Sequence, residues 1–366
     1  MELSSLGQLL LVGVPGLELD SETARLFRKA QPGGYILFGR NIRSATQLRK
    51  LIDDLRDLSK VEPIVTIDQE GGRVSRLKLI GNEPPNAQQL RSKSDLALIR
   101  EHGRLTGELL RLFGFNLDLC PVLDISFHED ADNSLRGRCY GTSVDEVVAS
   151  AAAFNQSLLA TGILSCGKHF PGYAAATLDP HHELPRIDRS REELDRTELA
   201  IFREFAHRVS SMMVCHAWYP AFDPEKTPAS LSRAIVTDLL VSEFNFHGLI
   251  MTDDLDMGAI VNESGFTATI ERAMLAGNDL AMICHRVHLI EEARAALETV
   301  ARVALDSALA GVAKFKRQMA SPKPFSEEQF HALDQEVWEL RIATLGAEAA
   351  ALRSADDGKR SPVETY

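Results

Sequence analysis

Eight short, β-rich apolar runs, each followed by a longer segment with helical character, constrain this chain more than any other feature. The runs are Gln8 to Gly13, Gly34 to Phe38, Pro63 to Ile67, Asn116 to Asp124, Gly162 to Lys168, Ser211 to His216, Gly248 to Thr252 and Asp279 to Cys284. Strands covered on both faces read as near-continuous apolar segments, as YILF, PIVTI, MMVC and GLIM do here. Alternation of strand and helix specifies parallel strands joined by crossover helices. A doubly wound open sheet is the rival architecture, but eight repeats favour closure, so the expected fold is α/β, a single (β/α)8 TIM-type barrel.

The segments between the runs carry helix-start chemistry. Ser44 with Gln47, Ser143 with Glu146 and Ser190 with Glu193 have capping-box spacing, in which each side chain satisfies an otherwise orphaned amide. Amphipathic stretches are expected near Asp95 to Phe113 and Ile290 to Ala310. Beyond Gly311 the strand signal stops. The barrel is therefore assigned to residues 1–325, a C-terminal helical extension to residues 326–350, and a polar, disordered tail to residues 351–366. At 366 residues the chain fits one such barrel, whose usual length is about 250 residues and exceeds 400 with insertions.

A net charge of −12 with no local cluster of basic residues argues against nucleic acid as a partner. No apolar run approaches the roughly 20 residues that cross a bilayer, so no membrane partner is expected. The opening MELSSLGQLLLVGVPG has an acid at position 2 and no basic segment ahead of its apolar stretch, unlike a signal peptide. The five cysteines, Cys120, Cys139, Cys166, Cys215 and Cys284, are odd in number and mostly embedded in apolar runs, as buried free thiols are. A reducing, cytoplasmic location is the expectation.

In a parallel barrel the chemistry gathers at the C-terminal ends of the strands, so polar residues just after the runs are the informative ones. The third run ends in Asp68-Gln69-Glu70-Gly71-Gly72-Arg73-Val74, with Arg76 close behind. The fourth ends in Asp124, followed by Arg136 and Arg138. Lys168 and His169 close the fifth, with Asp179 and His181 further along its loop; His216 ends the sixth, and Asp253, Asp254 and Asp256 the seventh. Singly, these have bland readings: Asp254 or Asp256 as a helix cap, His216 as a structural histidine, Gly71-Gly72 as a tight turn. Convergence of five charged strand ends on one rim is what those readings leave unexplained. Carboxylates, cations and histidines together suit a polyhydroxylated substrate. Glycoside hydrolysis commonly uses one attacking carboxylate and one proton donor. Asp253 suits attack, while Asp68, Glu70, Asp179 and Asp256 compete for the second role.

At these positions the sequence resembles the family 3 glycoside hydrolases, and within them the bacterial β-N-acetylhexosaminidases of the cell-wall-recycling type. The resemblance runs through LGQLLLVGVPG, GGYILFGRNI, IDQEGGRVSRL, PVLDIS, GRCYG, KHFPG, Asp179-Pro180-His181, PASLS and MTDDLDMGAI. It implies that Asp253 is a nucleophile forming a covalent glycosyl-enzyme, that His181 is the acid/base, and that Asp179 orients it. It further implies substrate contacts from Asp68, Arg76, Arg138, Lys168 and His169, with no metal and no cofactor. The implied partner is a small carbohydrate, an N-acetylglucosaminide such as a muropeptide-like fragment. A free imidazole titrates near pH 6.5, which suits it to donate and recover a proton near neutrality.

One stretch departs from the pattern: relatives commonly read KHFPGHGDT where this chain reads KHFPGYAAAT, with Tyr173, Ala174, Ala175 and Ala176. The length is kept, so Asp179 and His181 stay in register. Four alternatives stand beside the main reading. They are a β-glucosidase or β-xylosidase of the same family, an N-acetylglucosaminide phosphorylase, a zinc hydrolase built on Asp179, His181, His182, His216 and Asp253, and a catalytically silent sugar-binding protein.

Overall fold

A computed structural model of the chain describes residues 3–129, 133–174, 184–256 and 265–354. Among the described residues there are ten strands: β1 (Leu10–Gly13), β2 (Gly34–Leu37), β3 (Ile64–Ile67), β4 (Gln69–Gly71), β5 (Val74–Ser75), β6 (Leu117–Asp118), β7 (Leu164–Phe170), β8 (Ser211–Val214), β9 (Leu249–Asp254) and β10 (Leu280–Ile283). Eight of them, β1, β2, β3, β6, β7, β8, β9 and β10, follow one another around a closed parallel barrel. Leu10, Leu11 and Val12 pair with Ala281, Met282 and Ile283 to complete the ring. The expected (β/α)8 barrel is the observed fold.

The eight apolar runs become the eight barrel strands because nearly every residue in them is buried, by the barrel interior on one face and the helical layer on the other. The helices close that outer layer with one face each. In the Ala45–Leu58 helix, Leu48, Leu51, Ile52 and Leu55 are buried at i, i+3, i+4 and i+7, and truncating one such leucine to alanine costs about 2–5 kcal/mol.

The fourth run differs most from its expected span. Only Leu117 and Asp118 join the ladder as β6, because Pro121 has no N–H to donate to it. Past Asp118 the pairing with β7 continues as separate backbone bonds, Cys166 N to Cys120 O at 2.8 Å, Lys168 N to Pro121 O at 3.2 Å and Leu123 N to Lys168 O at 2.6 Å. The amphipathic stretch expected near Ile290 to Ala310 is two helices, Ile290–Thr299 and Arg302–Lys316.

The three serine caps all form, but only Ser190 and Glu193 make the full reciprocal box. At Ser44 and Ser143 the returning side chain reaches one residue further back, Gln47 Oε1 to Arg43 N and Glu146 Oε2 to Thr142 N.

A hairpin that the apolar pattern does not announce, β4 with β5, stands directly after β3. Gly71 and Gly72 adopt left-handed conformations there, with φ of 105° and 55°. Gln69 ties the hairpin together, its Nε2 donating to Ser75 Oγ at 2.7 Å and its Oε1 accepting from Leu77 N at 3.1 Å.

Past the barrel, Arg49 and Arg111 hold the connecting segment through the carbonyls of Ala320, Ser321 and Lys323. Ser326 then caps a helix over Glu327–Leu345, which buries Phe330, Leu333, Val337 and Leu340. Phe330 meets Phe113 of the Leu96–Phe113 helix edge-on, ring centres 5.4 Å apart. The tail expected at 351–366 lies outside the described residues from 355 onward. Among the described residues no helix is long and apolar enough to cross a membrane.

Candidate active site

Polar groups from non-adjacent strands meet at the C-terminal rim of the barrel. At the end of β7, Lys168 extends its buried amine to two carboxylates of the β3 loop, Asp68 Oδ1 at 2.7 Å and Glu70 Oε1 at 2.6 Å. Arg138 takes both Glu70 oxygens in a two-pronged bond, each prong 2.7 Å, the geometry in which a guanidinium binds a carboxylate best. Arg76 lies 3.8 Å from Asp68 Oδ2. Removing these charges from water is costly, and only close opposite charges make it tolerable. Burial pushes the Glu70 carboxyl up, but Arg138 and Lys168 outweigh it and hold Glu70 far below the usual carboxylate range. In the same way burial disfavours charged Lys168, while Asp68 and Glu70 more than offset it.

Asp124 organises the other side of β7. Its Oδ2 pairs with His169 Nδ1 at 2.6 Å and accepts from His169 N at 3.2 Å; its Oδ1 accepts from Tyr173 N at 2.6 Å. An ionised carboxylate is acceptor-only, so His169 Nδ1 carries the hydrogen and Nε2 is the ring's acceptor. Tyr173 opens the stretch that departs from the family pattern, yet its anchor is its backbone amide, which any residue except proline supplies.

Asp253 is the penultimate residue of β9, partly exposed, with Oδ1 accepting from Asp254 N at 2.8 Å. Burial raises its carboxyl, but His216 and His169 nearby, together with that amide, bring the net shift below the ordinary aspartate value. Asp253 is therefore an anion. Its neighbour is different: burial, then Asp256 beside it, raises Asp254 well above the ordinary range. Asp254 Oδ1 accepts from Cys284 N and Asp256 N, and Asp256 Oδ2 from His285 N and Arg286 N, so both carboxyls lace β9 to the turn after β10.

Of the residues singled out from sequence, Asp68, Arg76, Arg138, Lys168, His169 and Asp253 converge on this rim. Asp179 and His181 lie outside the described residues. Sequence reasoning left Glu70 as one competing carboxylate among several and did not assign it to the site. Its position two residues from Asp68 in a strand-end loop rich in glycine was the available signal. Asp124 was visible as a strand-end acid, but its hold on His169 was not. His216 is the buried histidine its setting suggested, with Nδ1 on Ser230 Oγ at 2.7 Å and Nε2 on Asp254 O at 2.9 Å, and burial lowers its pKa. Among the described residues no three potential metal ligands are grouped.

Comparison with known proteins decides the class. Residues 4–314 match the Glycosyl hydrolase family 3 N terminal domain. The chain belongs to glycosyl hydrolase family 3. It is thus a glycoside hydrolase of that family. A beta-hexosaminidase from Tolumonas auensis is 32% identical over 280 residues, 75% of this chain and 82% of the relative. Another, from Pseudomonas aeruginosa, is 32% identical over 290 residues, 79% of this chain and 86% of the relative. Among solved structures, a family 3 beta-N-acetylglucosaminidase from Paenibacillus sp. str. FPU-7 is 30% identical with a TM-score of 0.84, covering 93% of this chain and 68% of that one. NagZ from Neisseria gonorrhoeae, in complex with N-trifluoroacetyl-D-glucosamine, is 26% identical with a TM-score of 0.79, covering 91% of this chain and 97% of that one.

Proposed function

We propose that this family 3 hydrolase is a retaining β-N-acetylglucosaminidase in which Asp253 attacks the anomeric carbon, and His181, oriented by Asp179, donates and then recovers the proton. The observation that carries the reading is the placement of Asp253, the penultimate residue of barrel strand β9, whose carboxylate accepts from one backbone amide and has His216 and His169 near enough to favour its anionic form. Retention needs a second group able to hold a proton. At the described rim Glu70 is locked ionised between two cations, Asp68 is engaged by Lys168, and Asp124 accepts from His169 and two amides. These carboxylates suit gripping and orienting roles. The resemblance to family 3 N-acetylglucosaminidases assigns the proton donor to the loop after β7, which carries Asp179-Pro180-His181.

On the same reading Asp68, Arg76, Arg138, Lys168 and His169 bind the hydroxyls of the terminal sugar, directly or by fixing one another. The relatives named above are hexosaminidases, which supports the N-acetyl sugar. A muropeptide-like fragment as natural substrate rests on the resemblance to the cell-wall-recycling members. Five buried free thiols support a cytoplasmic setting.

The test is kinetic. Hydrolysis of nitrophenyl N-acetyl-β-glucosaminide should exceed that of nitrophenyl β-glucoside by about 100-fold or more in kcat/KM, a difference of roughly 2.7 kcal/mol in transition-state binding. A preference for the glucoside overturns the reading.

A further inference from the structure

The helix Glu327–Leu345 lies beyond the family match, which ends at residue 314, and it is tied to the loop that carries Asp68 and Glu70. We infer that Asp334 and Arg341 of this helix are positioning residues that set the geometry of the sugar-gripping loop, an inference that rests on the proposed role of that loop.

Asp334 seizes Asn82 completely: Oδ1 accepts from Asn82 N at 2.6 Å, Oδ2 from Asn82 Nδ2 at 2.8 Å, and the backbone carbonyl from the same amide at 3.1 Å. The approach is so close that a Cβ on Gly81 would stand 2.3 Å from Asp334 Oδ1. One turn pair further along, Arg341 is almost sealed from solvent and donates to Glu83 O at 2.9 Å and Glu83 Oε1 at 3.1 Å. Its Nε donates to Ala350 O at 2.9 Å and its Nη2 to Leu352 O at 2.5 Å. Ser354 closes the cluster from the far side, N and Oγ both donating to Glu83 Oε1.

Apolar contacts already dock this helix, and a buried ion pair is a poor source of stability compared with apolar packing of the same volume. What a buried ion pair does supply is register. Here the register is passed on. Residues 81–83 lead into Pro84, whose carbonyl accepts from Gly72 N at 2.8 Å. A Cβ on Gly71 would lie 2.3 Å from Pro85 O, and one on Gly72 2.7 Å from Asn86 Cβ. The Gly71-Gly72 turn therefore rests directly on the segment that the helix holds, and Glu70, which pairs with Arg138 and Lys168, is the next residue in the chain. A sub-ångström shift at 82 reaches the rim through four residues of backbone.

The test uses the full chain with Asp334→Ala and, independently, Gly81→Ala, which displaces Asp334 without touching its chemistry. Both variants should raise KM for nitrophenyl N-acetyl-β-glucosaminide by about 5- to 10-fold while kcat changes less than about 3-fold, the pattern of lost binding geometry. Asp334→Asn, which keeps an oxygen for Asn82 N, should restore most of the affinity; a merely structural role would show no such split. Amide hydrogen exchange at Gly72 supplies a readout independent of substrate and should quicken in both variants. Folded variants with parent kinetics and parent exchange at Gly72 overturn the inference. Should the parent not hydrolyse the N-acetylglucosaminide, the functional reading fails, and exchange at Gly72 alone still decides whether the helix holds the turn.

Discussion

Lys168 Nζ stands 2.6 Å from Glu70 Oε1, a cation and a carboxylate each almost sealed from solvent. Asp68 and Arg138 complete the group, so Lys168 is the one amine shared by two acids. Deleting it leaves buried negative charge without its partner. Lys168→Met should cost about 3–5 kcal/mol in denaturant unfolding, the usual penalty for breaking a buried pair from one side. A loss below about 1 kcal/mol would mean that Asp68 and Glu70 are better solvated than their burial indicates.

Asp124 holds His169 by ring and backbone and Tyr173 by backbone, all through one carboxylate. Asp124→Asn keeps one acceptor oxygen and turns an NH2 toward one of three donors. The expected result is a fall of about 10- to 100-fold in kcat/KM with the fold intact, because a misplaced donor costs the desolvation of both groups. Unchanged kinetics would remove His169 orientation from the mechanism.

His102 is fully buried beside Phe154, neither ring nitrogen meets a hydrogen-bond partner among the described residues, and burial pushes its pKa down to about 4. An unfolded histidine titrates near 6.5, so between pH 6.5 and 4 the unfolded chain takes up a proton that the folded one refuses. Stability is complete above 6.5 and falls as the pH drops through that window, by an amount on the order of 3 kcal/mol. Melting temperatures of parent and His102→Leu should therefore diverge as the pH is lowered from 7 to 4.5, the parent losing more. Parallel curves would contradict this.

Asp279 shows the opposite sign. Burial raises its pKa to about 7, and Oδ2 accepts from Ile250 N at 2.9 Å. The neutral acid is favoured in the folded state, so its contribution is full below the unfolded value near 4 and is lost as the pH rises through 7. Asp279→Asn keeps the acceptor without the charge. It should raise the melting temperature at pH 8 and leave it nearly unchanged at pH 5; a gain of equal size at both would point to packing instead.

Much of this was legible in the sequence because a closed parallel barrel buries its strands on both faces, and runs such as YILF and MMVC carry that requirement openly. The rim residues were legible for a related reason: a charged group immediately after an apolar run, as at Asp68, Lys168 and Asp253, has few places to point except the barrel mouth. Less visible was anything set by contacts distant in sequence. Glu70 looked like one acid among several until Arg138, 68 residues away, closed on both its oxygens. The shortening of β6 follows from Pro121, whose missing N–H was readable but whose place in the ladder was not. Nor does any periodicity show that Arg341 reaches back 258 residues to Glu83.

The most direct measurement is mass spectrometry of protein treated with a fluorinated N-acetylglucosaminyl donor, which slows release of the sugar from the enzyme. One sugar should be found covalently attached to the peptide that contains Asp253, with none on the Asp253→Ala variant. Turnover without any covalent adduct, or attachment to Asp254 or Asp256, would contradict Asp253 as the nucleophile.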